Sequence, residues 1–104
     1  MLVLRNIPDE SNIIESYYKS SNILYSSYDT HTNQLSVIFN SGKQYQYDDV
    51  PLKEFLKFEK DDSQGKYFNK NISKTYPYSK KENVDVGRVV EELNKVASQA
   101  GEEG

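Results

Sequence analysis

Two short segments of alternating apolar and polar residues, joined by a turn sequence, constrain the fold more than any other feature of this chain. Residues 34–39 place three apolar side chains at a spacing of two, and residues 44–47 alternate in the same way. Such alternation with β-branched and aromatic residues is typical of strands with one buried face. Gly42 lies between them and can adopt the positive φ that a tight turn needs. With the alternating segment 20–28 before it, this hairpin predicts an antiparallel β-meander.

Helical spacing follows the hairpin. Acidic residues and a proline at 48–51 predict the start of a helix, because proline suits a first turn and carboxylates favour the positive end of the helix dipole. A short second helix or turn is predicted over 66–74, where Phe68 and Ile72 lie four residues apart and face inward. Together these segments predict an α+β fold, with three or four strands and one or two short helices packed on them.

A longer amphipathic helix is predicted after residue 85. Its apolar stripe contains Val86, Val89, Leu93 and Val96. The 3–4–3 spacing is that of a coiled-coil seam, so the stripe is predicted to be an oligomer interface and the protein a homo-oligomer. The alternative is that Val90 and Ala97 widen the stripe into a surface that docks on the chain's own sheet.

Composition excludes several classes of function. The 104 residues contain no cysteine, which removes disulfide scaffolds, thiol nucleophiles and cysteine-based zinc sites. His31 lies alone in a polar turn, and no grouping of residues predicts a catalytic site, a metal or a cofactor. A protein without enzymatic activity is therefore expected. No apolar segment approaches the length of a membrane span, so a cytoplasmic protein without membrane contact is expected as well.

The middle of the chain contains a specific set of residues in a fixed order: Ser20-Ser21-Asn22-Ile23, Tyr28-Asp29, Leu35, Val37, Phe39, Gly42, Tyr45-Gln46-Tyr47, Val50-Pro51, Ser63, Gly65, Tyr67-Phe68-Asn69, Ile72 and Tyr76. With these residues the chain resembles the KTSC family, a small domain found at the end of some lysyl-tRNA synthetases and as a free-standing protein in bacteria and phages. The resemblance implies a KTSC-like domain over 19–80 and an expectation of RNA binding, and it implies no reaction. An N-terminal arm, 1–18, and a linker with the C-terminal helix, 81–104, lie outside it.

Charge and tyrosine content point to a candidate ligand surface within that domain. Residues 63–81 carry five lysines and no acid, whereas residues 82–104 carry six acids and two bases. Lysines can hold phosphate, and tyrosine rings can stack on bases. The predicted ligand-binding residues are Tyr45, Tyr47, Lys66, Tyr67, Asn69, Lys70, Lys74 and Tyr76. The alternative is that the tyrosines are core residues and that the lysines form an ordinary solvated helix face.

Two functions are therefore expected from the sequence. The first is a non-catalytic binding module that holds RNA or a nucleotide-type ligand on the tyrosine and lysine surface. The second is a protein-interaction module, such as a phage factor that binds a host protein and inhibits or redirects it. Abundant Asn, Ser, Lys and Tyr with little Ala is typical of A/T-rich genomes, including those of many phages, so a phage-encoded protein acting in the host cytoplasm is expected.

Overall fold

A computed structural model describes residues 1–101 and the side chains of residues 1–98. Its centre is a six-stranded antiparallel sheet in which each strand pairs with its sequence neighbours. The strands are β1 (Leu2–Asn6), β2 (Ile13–Tyr18), β3 (Ile23–Asp29), β4 (Gln34–Phe39), β5 (Gln44–Tyr47) and β6 (Tyr78–Lys81). The helical segments are α1 (Leu52–Lys60), α2 (Gln64–Tyr67), a π-helical turn (Phe68–Ile72) and α3 (Val86–Gly101). This meander with helices packed on it confirms the predicted α+β fold.

The sheet has more strands than the sequence predicted. Residues 1–18, set apart as an arm, form β1 and β2, and β6 lies across the boundary between the predicted domain, 19–80, and the predicted linker. Helices cover both faces of β2, so Ile14, Ser16 and Tyr17 are all buried and the strand shows no clean alternation. In β6 every side chain is exposed, and the strand is held by its backbone pairing with β5. Neither β2 nor β6 has the one-sided apolar pattern that identifies a strand from sequence.

The first face of the sheet carries α1, α2 and the π turn, and the core lies between these layers. Phe55 of α1 stacks on Tyr28 of β3, with ring centroids 4.6 Å apart and planes at 6°. Phe68 and Ile72 of the π turn are buried in the same cluster, as predicted. One charged group is buried beside this core: Glu59 accepts a hydrogen bond from Ser16 and pairs with the Arg5 guanidinium at 3.2 Å.

The second face carries α3. The helix begins after Asp85, whose Oδ1 accepts a hydrogen bond from the Gly87 N–H at 2.9 Å and so caps the first turn. Tyr17 and Ile38, on the second face, are only 1% and 6% exposed. Docking of the final helix on its own sheet, the alternative interpretation of the sequence, is therefore the arrangement within one chain. The predicted segment 81–104 extends past the described residues.

Gly42 joins the β4–β5 turn to the segment that leads into α3. Its φ is +92°, and a β-carbon there would lie 2.7 Å from the backbone oxygen of Val84. The Val84 N–H also donates to the Gly42 carbonyl at 2.8 Å. These contacts leave no room for a side chain.

We expect Gly42→Ala to lower the free energy of unfolding by about 1–3 kcal/mol, because alanine is strained at positive φ and the connector to α3 must move. Chemical denaturation measures the loss, and hydrogen exchange in α3 reports the loosened connector. The control is Ser41→Ala in the same exposed turn, for which a change within about 0.5 kcal/mol is expected. Equal effects of the two substitutions would contradict this role of Gly42.

Candidate binding cleft

An open cleft of about 580 Å³ lies on the first face of the sheet, between the β4–β5 hairpin and the π turn. Its lining consists of Ser21, Asn22, Phe39, Asn40, Ser41, Lys43, Tyr45, Tyr47 and Phe68. Cross-strand pairing explains the convergence, because directly opposed residues of neighbouring strands point to the same face. We call this cavity the aromatic cleft.

Four aromatic rings form the wall of the aromatic cleft. Phe39 packs edge to face against Tyr45, at 5.9 Å between centroids, and against Phe68, at 5.5 Å. Tyr47 packs edge to face against Phe68 at 5.2 Å. Tyr47 and Phe68 are buried, so the half-buried rings of Phe39 and Tyr45 supply the accessible aromatic surface of the cleft.

Tyr45 and Tyr47 lie on the same face, as their spacing requires, and the structure decides which face it is. They face α2 and the π turn, and both line the aromatic cleft. Tyr47 is buried, while Tyr45 is half-buried. Burial raises the pKa of Tyr47 to about 12, so its hydroxyl is neutral at physiological pH. Tyr45 is thus the ring of the pair that a ligand can reach more fully.

The rim of the aromatic cleft is polar and positively charged. The Asn40 side chain is anchored, since its Nδ2 donates to the Ser20 carbonyl at 2.8 Å. The Asn22 side chain makes no hydrogen bond with any described residue, and its amide can meet a ligand. Lys43 lines the cleft, and Lys80 of β6 lies directly opposite Tyr45 in the sheet register, on the same face. Both lysines are exposed.

Tyr67 and Tyr76, also predicted to bind ligand, lie outside this lining. Their hydroxyls donate to the two carboxylate oxygens of Glu54 on α1, at 2.5 Å and 3.4 Å. Burial and the Glu54 carboxylate raise the pKa of both tyrosines. Their hydroxyls therefore tie the helical segments together and are already occupied.

The predicted phosphate-binding residues are spread along the outer side of α2 and the segment that follows. Lys66, Asn69, Lys70 and Lys74 are all exposed, opposite the buried Phe68. None of the three lysines has a carboxylate within ion-pair distance among the described residues. They form an uncompensated positive strip beside the aromatic cleft, and they are absent from its lining.

Sequence reasoning missed several residues of the aromatic cleft, namely Asn22, Phe39, Asn40 and Lys43. Phe39 had been assigned to the buried face of β4, and Lys43 to the turn. Backbone pairing of Phe39 with Lys43 across that turn, through an N–H to carbonyl hydrogen bond of 2.9 Å, places both beside Tyr45. The signal available in the sequence was the hairpin itself, since continuing the pairing of residues 34–39 and 44–47 by one residue pair into the turn would have found this position.

The residues predicted to form an oligomer interface lie along α3. Val86, Val89, Leu93 and Val96 are half-buried, and Val89 lines a space between the helix and the second face of the sheet. Val90, which the sequence placed at the edge of the stripe, is exposed. Self-association through these residues stays a prediction, and it would compete with the docking of α3 on its own sheet.

Other polar groups raised by the sequence have local structural roles. His31 is exposed in the turn after β3, and its backbone N–H donates to Asp29 Oδ1 at 2.8 Å. Within residues 1–101, no three His, Asp or Glu side chains come together as metal ligands. In the same part of the chain, no helix has the length and apolar character needed to cross a bilayer.

Comparison with known proteins shows to which family this fold belongs. The family model described as the KTSC domain matches residues 19–76, more than half of the chain. The crystal structure of a KTSC domain protein from Yersinia pestis superimposes with a TM-score of 0.64 at 27% sequence identity, covering 67% of this chain and 99% of the other. No curated protein matches the chain significantly. All residues that line the aromatic cleft lie within the matched segment, and the chain belongs to the KTSC domain family.

Proposed function

We propose that this protein is a non-catalytic binding module that holds RNA or another nucleotide-type ligand in the aromatic cleft. The observation that supports this most directly is the combination, in one open cavity, of four aromatic rings with amide and lysine side chains at the rim. Proteins that bind single-stranded nucleic acids use the same chemistry, since bases stack on aromatic rings while cations hold the phosphates.

Each part of the cleft has a place in this proposal. A base stacks on the accessible ring of Tyr45, beside the half-buried ring of Phe39. The free amide of Asn22 offers both a donor and an acceptor to a base edge. Lys43 and Lys80, which flank Tyr45 on two sides, contact the phosphates on either side of that base.

The exposed lysines of the helical segment extend the surface for a longer ligand. Lys66, Lys70 and Lys74 have no compensating carboxylate nearby, so a polyanion gains Coulomb energy there without breaking existing ion pairs. In this proposal a polynucleotide contacts both the aromatic cleft and this strip. A mononucleotide uses the cleft alone.

The test is fluorescence anisotropy of short labelled single-stranded RNAs, with AMP and UMP as competitors. We expect Tyr45→Leu to weaken RNA binding about tenfold, because stacking contributes about 1–3 kcal/mol per base. We expect Lys43→Gln to weaken it and to flatten its salt dependence by about one phosphate contact. The matched control is Lys57→Gln on α1, an exposed lysine outside the cleft lining, which should leave binding unchanged.

The outcomes separate the ligand classes. Competition by a mononucleotide identifies a nucleotide-type ligand, whereas binding of RNA alone, weakened further by replacing Lys66, Lys70 and Lys74 with glutamine, identifies an RNA-binding surface. Affinity that does not change between about 50 and 200 mM salt would overturn the proposal. Equal effects of Lys43→Gln and Lys57→Gln would also overturn it, provided both variants show the wild-type circular dichroism spectrum.

A protein-interaction module is the second candidate, and one observation favours it. One of the two edges of the sheet is β1, and Met1, Val3 and Ile7 on or beside it are 64%, 52% and 53% exposed. An apolar edge strand can pair with a strand of another chain, either a second copy or, for a phage-encoded protein, a host protein. Native mass spectrometry of the full chain tests this: Val3→Lys should abolish an assembly formed through β1 and leave RNA binding intact.

A further inference from the structure

A second cleft, of about 490 Å³, lies on the opposite side of the sheet from the aromatic cleft. Tyr17, Tyr25 and Ile38 of the second face form its floor, and α3 with its connector forms its wall. Nothing in the proposed RNA-binding surface uses these residues. We call this cavity the α3 cleft.

Two tyrosines form a corner in the floor of the α3 cleft. The rings of Tyr17 and Tyr25 lie 5.0 Å apart with an interplanar angle of 62°. Tyr17 is 1% exposed, yet its hydroxyl makes no hydrogen bond with any described residue. The described residues contain no buried side-chain oxygen without a partner, so the Tyr17 oxygen opens to the cleft that it lines, where an occupant can hydrogen-bond to it.

Carboxylates surround this corner. The α3 cleft is lined by Glu15, Asp85 and Glu92, against one cation, Arg88. Glu15 is held in place, because Tyr25 donates to its Oε2 at 2.9 Å and Asn6 Nδ2 donates to its Oε1 at 3.0 Å. Neither donor is charged, so the negative charge of Glu15 remains uncompensated.

The cation in the lining does not neutralise these carboxylates. Among the described residues, Arg88 has no carboxylate oxygen within 4.0 Å, and the one ion pair is that between Arg5 and Glu59. Burial, together with the charges of Glu15 and Glu92, raises the pKa of Tyr17 to about 12. Three carboxylates against one cation in the lining favour a positively charged occupant.

We propose that the α3 cleft is a second binding site and that it takes an alkylammonium group. The ammonium lies at the tyrosine corner, where ring faces attract a cation, and donates hydrogen bonds to Glu15, Glu92 and the free Tyr17 hydroxyl. Its alkyl chain packs against Ile38 and Val89, which supply the apolar part of the lining.

A free diamine and the side chain of a lysine in another protein share this chemistry, and the probes distinguish the two sources. The probes are n-butylammonium, putrescine and Nα-acetyl-lysine amide, with neutral n-butanol as the reference of similar shape. Binding is followed by NMR chemical shifts of the full chain, in which the Tyr17 and Tyr25 ring signals report occupancy directly. We expect the ammonium probes to shift these signals at concentrations at which n-butanol does not.

Putrescine binding more tightly than the lysine amide identifies a free amine as the ligand class, and the reverse order identifies a lysyl side chain. Glu92→Gln should weaken the ammonium probes on the order of tenfold, since it removes one charged hydrogen bond. Glu91→Gln, one residue earlier and exposed on α3, changes the net charge equally and should leave affinity unchanged.

Tyr17→Phe retains the ring and should cause a smaller loss than Glu92→Gln. Equal affinity of n-butanol and n-butylammonium would overturn the proposal. Equal weakening by Glu91→Gln and Glu92→Gln would overturn it too, because the effect would then reflect overall charge alone. Tyr45→Leu should leave ammonium binding unaffected, so the proposal for the α3 cleft is tested independently of the proposal for the aromatic cleft.

Discussion

Truncating Phe58 to alanine is expected to lower the free energy of unfolding by about 3–5 kcal/mol, a large share of the stability of a domain of this size. Phe58 is fully buried, and its ring packs against Tyr18 at 5.5 Å between centroids. It also contacts Phe55 on its own helix, and Phe68 and Tyr67 on the segments that follow α1. Alanine would leave a cavity where the sheet and all three helical segments of the first face meet.

Urea denaturation followed by circular dichroism measures this loss. The control is Leu52→Ala on the same helix, where the side chain is 42% exposed and a loss of about 0.5 kcal/mol is expected. Comparable losses for the two variants would contradict the assignment of Phe58 to the centre of the core. Phe68, which contacts Phe58, also lines the aromatic cleft. We therefore expect Phe58→Ala to weaken RNA binding under conditions in which the variant is still folded.

The second large effect is expected at high pH. Burial raises the pKa of Tyr17 and Tyr47 to about 12, and it also raises that of the buried Tyr18. In the unfolded chain these groups ionise near pH 10. The folded state therefore retains protons that the unfolded state loses, so stability is fully present below pH 10 and falls as pH rises through and above that value.

Together these tyrosines should lower the free energy of unfolding by about 2–3 kcal/mol between pH 8 and pH 11, because solvent screens the less buried phenol groups. Urea denaturation at a series of pH values measures the decline, and absorbance near 295 nm reports tyrosinate formation on unfolding. Tyr18→Phe should make this decline shallower, since it removes one of the tyrosines whose pKa is raised in the folded state. Stability that stays constant from pH 9 to pH 11 would contradict this account.

Local sequence was sufficient for the elements whose pattern is one-sided. The β4–β5 hairpin, the start of α1 after Pro51 and the inward pair of Phe68 and Ile72 were predicted and are confirmed. In each case one face meets the core and the other meets water, which leaves a period in the sequence. The membership of the chain in the KTSC family was also readable, because its motif residues cluster in these elements.

Local sequence failed where contacts on both faces, or pairing alone, determine the structure. β2 lies between α1 on one side and α3 on the other, so its apolar and polar residues are buried alike. β6 forms because β5 presents an unpaired edge, and its own side chains carry no signal.

The candidate sites divide in the same way. Residue types and spacing determined that a tyrosine pair in β5 shares one face, that residues 63–81 are positively charged, and that the last helix is amphipathic. The tertiary structure decided that the tyrosine pair lines a cleft with Phe39 and Phe68, that Tyr67 and Tyr76 donate to Glu54, and that α3 covers the second face. The physical reason is distance along the chain: spacing specifies which side chains share a face, whereas the groups that meet across that face come from separate elements and are brought together only by packing.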